Sequence, residues 1–166
     1  MITAAVITLS DKGAKGERED LAGPEITEIV RGIGIETLFA EVIPDEKELL
    51  VKKLIEYSAK VDAIFTTGGT GLSPRDVTPE ATLSVIDRQI PGIAEAMRSE
   101  GMKKTKRAML SRAVAGVRGR TLIVNLPGSP RAVREGLAAI LEVIPHAVEK
   151  IKGSTEDCGL PEGAVR

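Results

Sequence analysis

Short apolar runs alternate along this chain with stretches whose apolar residues recur three and four apart. The runs are Ile2 to Leu9, Ile35 to Ile43, Val61 to Thr67 and Thr121 to Leu126, each short and β-branched enough to be a strand. Between the first two, Leu21, Ile26, Ile29 and Val30 fall at helical spacing and stop at Gly32-Ile33-Gly34, a C-cap pattern. Leu49, Leu50, Lys53, Leu54 and Tyr57 mark the next helix. Asp45 with Glu48 three residues on reads as an acidic version of a capping box ahead of it. A short helix is expected from Pro79 to about Asp87, opened by Thr78 as N-cap, and another from Ile93 to about Gly101. Val133, Leu137, Ile140, Leu141, Ile144, Val148 and Ile151 lie along one long helix, kinked at Pro145. The expected organisation is one domain over residues 1–153 and a C-terminal tail over 154–166.

Strands alternating with helices at least four times predict an α/β fold with a mostly parallel sheet covered on both faces. Ligands gather beyond the carboxyl ends of the strands in such sheets. Three loops fall there: Ser10–Lys12, Gly68–Asp76 and Pro127–Pro130. Pro44–Asp45 joins them if the second strand runs parallel.

The loop after the third strand carries the densest chemistry. Gly68, Gly69 and Gly71 are interleaved with Thr66, Thr67, Thr70 and Ser73, more than one tight turn requires. Strand, glycine loop and helix start form a common anion site, because free backbone N–H groups point outward there. It is not a P-loop: the Lys-Ser/Thr pair is missing, and Gly69-Thr70-Gly71-Leu72-Ser73-Pro74 breaks GxGxxG at its last position. Asp76 either closes a turn or pairs with Arg75, or it holds a metal bound to phosphates. On spacing alone Asp45 is a helix cap. Ser129 caps the last helix, and Pro127, Gly128 and Ser129 sit on the same sheet edge as the glycine loop. The basic run Lys103 to Arg112 is a solvated face or a source of cations, with Ser111-Arg112 its most informative part.

Composition removes several function classes. Lys+Arg 23 against Asp+Glu 24 gives a net charge of −1, so no global field draws nucleic acid or a membrane surface. Phe39, Tyr57 and Phe65 are the only aromatics, too few for base stacking. One cysteine, Cys158, and one histidine, His146, exclude an internal disulfide and a multi-histidine metal site; His146 reads as structural. The chemistry falls to carboxylates, cations and backbone groups. No signal pattern precedes the first strand and no run approaches a membrane span, so a cytoplasmic protein is expected.

Thr66-Thr67-Gly68-Gly69-Thr70-Gly71 followed by Pro74-Arg75-Asp76-Val77-Thr78-Pro79-Glu80-Ala81-Thr82 resembles the signature of the MogA/MoaB family of molybdenum cofactor biosynthesis proteins. Leu9-Ser10-Asp11, Ile43-Pro44-Asp45-Glu46, Met109-Leu110-Ser111-Arg112 and Asn125-Leu126-Pro127-Gly128-Ser129-Pro130 match at the family's relative positions. The resemblance implies a three-layer α/β/α fold, a homotrimer and a molybdopterin adenylyltransferase that moves AMP from MgATP to the molybdopterin phosphate. It implies catalytic roles for Asp45 and Asp76, both also candidate Mg²⁺ holders, in place of the cap reading of Asp45. Thr67, Gly68, Gly69, Thr70, Gly71, Pro127, Gly128 and Ser129 become the nucleotide and phosphate candidates. Ser10, Asp11, Ser111 and Arg112 become candidates for the pterin side. A MoeA-type molybdate-inserting protein is the expected recipient of the product. The alternative is a non-catalytic molybdopterin carrier of the same fold.

Overall fold

The computed structural model of the chain describes residues 1–154; beyond Ser154, the tail expected over 154–166 lies outside the described residues. The order of elements is β1 (Ile2–Leu9), a single turn α1 (Asp11–Ala14), α2 (Ala22–Arg31), β2 (Ile35–Ile43), α3 (Lys47–Ser58) and β3 (Ala63–Thr67). There follow α4 (Thr78–Leu83), β4 (Arg88–Gln89), α5 (Pro91–Met102), a 3-10 turn over Lys106–Leu110, β5 (Ala115–Arg118), β6 (Thr121–Leu126), α6 (Pro130–Ile140) and α7 (Ile144–Ile151).

The six strands form one sheet in the order β2-β1-β3-β6-β5-β4. β1 pairs in parallel with β2 and β3, and β3 in parallel with β6. β5 runs antiparallel to both β6 and β4. The alternation of β1 sends Ala4 and Val6 to one face, with α2, α5, α6 and α7, and Ala5, Ile7 and Leu9 to the other, with α3 and α4. The expected three-layer α/β/α architecture is therefore the one observed. Phe65, Ile64, Leu122 and Ile123 are fully buried between the layers, and full burial of each such side chain is worth about 1.5–3 kcal/mol.

Four readings of local structure change. The edge pair β4 and β5 was absent from the expected elements, because both are short and carry too little periodicity to stand out from loop. Pro145 does not kink a continuous helix: a 3-10 turn at Leu141–Val143 ends α6, and Pro145 sits in the first turn of α7, where its missing N–H costs nothing. Thr78 is not the cap of α4; its hydroxyl donates to Gly68 O at 2.8 Å and ties the helix start to the glycine loop. The capping box at Asp45 does not form. α3 starts after Glu46 without any side-chain cap, which leaves the Asp45 carboxylate for other partners. Ser129, by contrast, caps α6 as expected, accepting from Ala132 N at 3.2 Å.

Among the described residues no helix is long and apolar enough to cross a membrane. Because α2 and α4 pack on opposite faces, the loops after β1 and β3 diverge at neighbouring strand ends and open a crevice there. Parallel pairing of β2 brings the Pro44–Asp45 turn to the same edge.

Candidate active site

The crevice is a cavity of about 680 Å³ lined by Thr8, Ser10, Arg18, Asp20, Asp45, Gly68, Gly69, Asp76, Gly128 and Ser129, among others. Its floor is the glycine turn after β3. Gly68 and Gly69 both have positive φ (91° and 66°), which any side chain would strain. A Cβ on Gly68 would also run into the Leu9 carbonyl, and one on Gly69 into the Thr78 hydroxyl and to 3.3 Å of Asp45 Oδ1. The Thr67 hydroxyl donates to Pro127 O at 2.6 Å and Gly68 N to Leu126 O at 3.3 Å, so the two glycine loops are stitched together. Thr67 is buried and its hydroxyl is spent on that stitch.

The carboxylates reach the cavity by different routes. Asp45 and Asp11 are joined reciprocally: Asp11 N donates to Asp45 Oδ2 and Asp45 N to Asp11 Oδ1, both at 3.0 Å. Burial pushes the half-buried Asp45 carboxyl up; the Asp11 N–H opposes this, while the negative charges of Asp11 and Asp76 add to it. Asp11 is held below the usual carboxylate range by a bidentate hydrogen bond from Arg75, Nε to Oδ2 at 3.0 Å and Nη2 to Oδ1 at 2.7 Å. Arg75 thus pairs with Asp11 and not with its sequence neighbour. Asp76 closes its own turn, with Oδ2 accepting from Ser73 N at 2.8 Å and its N–H donating to Ser73 O at 2.9 Å. Asp45 Oδ1 and Asp76 Oδ1 accept no hydrogen bond among the described residues.

Ser10, Asp45, Thr67, Gly68, Gly69, Asp76, Gly128 and Ser129 therefore share one cavity. Thr70, Gly71, Pro127 and Ser111 line a second, more apolar cavity of about 310 Å³ behind the loop, between α5 and α6. Asp11 sits at the rim through Asp45 and Arg75. Arg112 lines neither cavity. His146 is exposed on α7 and also lines neither. Asp20 was missed: its Oδ1 accepts from Ala22 N and Gly23 N at 3.1 and 3.0 Å, and its Oδ2 from the Thr8 hydroxyl at 2.8 Å. An aspartate two residues ahead of a helical run was the signal available for it.

The donor set suits a particular kind of cation. No group of three or more His, Cys, Asp or Glu side chains capable of holding a metal occurs among the described residues. Two carboxylates, each with one uncommitted oxygen, fit Mg²⁺ that arrives with phosphates, since Mg²⁺ keeps only one or two carboxylates and takes its other ligands from phosphate and water.

The family described as "Probable molybdopterin binding domain" matches residues 5–146. That span runs from within β1 to the first turn of α7. The chain belongs to this family. Curated relatives include a molybdopterin adenylyltransferase of Helicobacter pylori, 41% identical over 157 residues, which cover 92% of this chain and 89% of the relative. One of Pyrococcus furiosus is 39% identical over 150 residues, covering 87% and 88% of the two chains. Among solved structures, the molybdopterin biosynthesis enzyme MoaB from Thermus thermophilus superposes with a TM-score of 0.88 at 49% identity, covering 93% of this chain and 98% of that one. A CinA structure from Thermoplasma acidophilum, with a TM-score of 0.67 at 19% identity, shares the fold alone.

Proposed function

We infer that this chain is a molybdopterin adenylyltransferase that acts in molybdenum cofactor biosynthesis. The observation that carries the reading is the convergence of Asp45 and Asp76, from the turns after two different strands, on one glycine-floored cavity at the switch point of the sheet. Curated adenylyltransferases that match nearly the whole chain support it.

A phosphate oxygen of molybdopterin attacks the α-phosphorus of ATP in line; the Pα–O bond to the β-phosphate breaks and pyrophosphate leaves. Phosphoryl chemistry of this type needs positioning and charge neutralisation more than a covalent nucleophile. Bound Mg²⁺ supplies neutralisation of the phosphate charge. The Gly69 N–H, which donates to nothing else among the described residues, binds a phosphate oxygen, and Gly128 and Ser129 form the facing wall. Asp45 and Asp76 are the residues that would hold Mg²⁺ with the triphosphate. Asp11 and Arg75 fix Asp45 at the cavity edge, and Ser10 and Ser111 remain for the pterin side. The same reading includes a homotrimer, supported by exposed Leu72, Met109 and Leu110 beside the loop, and hand-over of the adenylylated pterin to a MoeA-type protein.

Purified protein incubated with molybdopterin, ATP and Mg²⁺ is expected to release pyrophosphate and form an adenylylated pterin, and to do neither when any one component is left out. Tight molybdopterin binding with no AMP transfer under saturating MgATP would instead establish a carrier.

A further inference from the structure

Arg112 came out of the sequence as a candidate for touching the pterin, and the geometry assigns it a different task. Its Nε donates to Gly71 O at 2.7 Å, its Nη2 to Asp76 O at 2.8 Å, and its Nη1 to the Glu80 carboxylate. Its backbone N–H donates to Thr70 O at 2.9 Å. The two carbonyls gripped by the guanidinium stand at the two ends of the segment Gly71 to Asp76. Three of the five guanidinium N–H groups are thereby committed, the side chain is 34% exposed, and the residue lines neither cavity. Glu80 responds to the contact: burial alone would raise its carboxyl, but the Arg112 hydrogen bond brings it below the ordinary glutamate value.

The support under Arg112 is itself braced. Arg98 on α5 donates from Nη1 to Ser111 O at 3.3 Å and Ala113 O at 2.9 Å, the carbonyls on either side of Arg112. One residue further on, Val114 N donates to the side chain of buried Asn125 at 3.2 Å. Inside the loop, Asp76 closes its own turn onto Ser73, so the turn does not need Arg112 to form. What Arg112 adds is attachment of both ends of that turn to the body of the sheet. A Cβ on Gly71 would stand 2.8 Å from Asp76 Oδ2, which shows how closely the segment is folded against the carboxylate being placed.

We propose that Arg112 is a positioning residue: it clamps the Gly71–Asp76 loop by both ends and so sets where the Asp76 carboxylate stands in the cavity, without contacting substrate. A planar fork that holds two carbonyls and a carboxylate at once cannot be replaced by the point charge of a lysine. The proposal rests on the reading of Asp76 as a catalytic carboxylate.

The test is a kinetic cycle on the full chain with molybdopterin and MgATP, using Arg112→Lys, Arg112→Gln, Asp76→Asn and the double variants, each first checked for folding by thermal melt. A misplacement of about 1 Å costs about a hundredfold in rate, so Arg112→Lys and Arg112→Gln are expected to lose about that much kcat. KM for both substrates should stay within about twofold, and in the Asp76→Asn background the same substitutions should change kcat by less than about threefold, because they act through one group. A rise in KM for either substrate with kcat kept would make Arg112 a ligand and overturn the proposal. So would an undiminished kcat, a full loss of kcat in the Asp76→Asn background, or failure of both Arg112 variants to fold. If Asp76→Asn alone keeps its turnover, it is the reading of Asp76 that fails.

Discussion

The turn after β2 and the loop after β3 each deliver one aspartate to the same cavity, and they do so by opposite means. Pro44-Asp45-Glu46 is short, sits directly at the strand end, and is fixed by a reciprocal pair of hydrogen bonds with Asp11, in each of which a main-chain N–H donates to the other residue's carboxylate. Gly68 to Asp76 is long, starts with two glycines at positive φ, and depends on Arg112 and Thr78 to attach it to the rest of the protein. The Asp45 site is electrostatically costly, with burial and two neighbouring negative charges all disfavouring ionisation. A short turn can carry that cost because the sheet itself holds it. The β3 loop instead is longer and is anchored by two side chains outside it, the Thr78 hydroxyl on Gly68 O and the Arg112 guanidinium on Gly71 O and Asp76 O.

The largest effect that would sharpen the contrast is on turnover. Asp76→Asn keeps an acceptor for Ser73 N, so the turn survives while one negative charge is lost. Turnover should drop by about two to three orders of magnitude, the scale of losing one preorganised electrostatic group, with the melting temperature unchanged. Pyrophosphate release near the wild-type rate would remove Asp76 from the mechanism. Asp45→Asn should cost about a hundredfold or more in turnover on the same grounds, yet melt at the same or a higher temperature at pH 7, because it removes a half-buried charge and no helix cap. A lower melting temperature with full activity would remove Asp45 from the mechanism and leave it only its structural bond with Asp11.

Gly69→Ala probes the longer loop. The positive φ and the Thr78 hydroxyl in the way predict about 1–3 kcal/mol lost. For a chain of this size that is several degrees of melting temperature. An unchanged melt would mean that the turn relaxes freely and is not built as described.

The smallest effect is on the pH dependence of stability. With its folded value raised above 3.8, Asp45 binds its proton more tightly in the native state, so its contribution to stability declines as pH rises from 3.8 through that folded value. Asp62 works the other way. Burial opposes it, but the Lys152 ion pair at 2.6 Å and the Thr3 N–H lower its folded value, so it stabilises above 3.8 and that contribution is lost as pH falls through the folded value. Melts from pH 3 to 6 should therefore show Asp45→Asn gaining on the wild type as pH rises and Asp62→Asn gaining on it as pH falls. Parallel curves for the two variants would break the distinction.

How much of this was legible beforehand depends on the range of the interaction. The strands β1, β2, β3 and β6 are written in local apolar runs, and the glycine turn in residue types that only one backbone conformation needs, so sequence alone reaches them. It also marks Ser129 as a cap, because that bond spans three residues. Asp45 shows the limit: its spacing from Glu48 has a complete local explanation, and that explanation is wrong here because the reciprocal bond to Asp11 competes for the same carboxylate. Arg75 shows it again, since the nearer carboxylate, Asp76, is not the one it binds.

What the sequence by itself determined is the family, the mostly parallel α/β sheet and the set of loops that meet at its edge. Tertiary structure alone decided which of those residues face the cavity, and it placed the Arg112 guanidinium on the Gly71 and Asp76 carbonyls. The physical reason is separation along the chain. Arg112 reaches Gly71 and Asp76 across 41 and 36 residues, and no periodicity or capping rule extends that far; only the folded sheet brings the two segments within hydrogen-bonding distance.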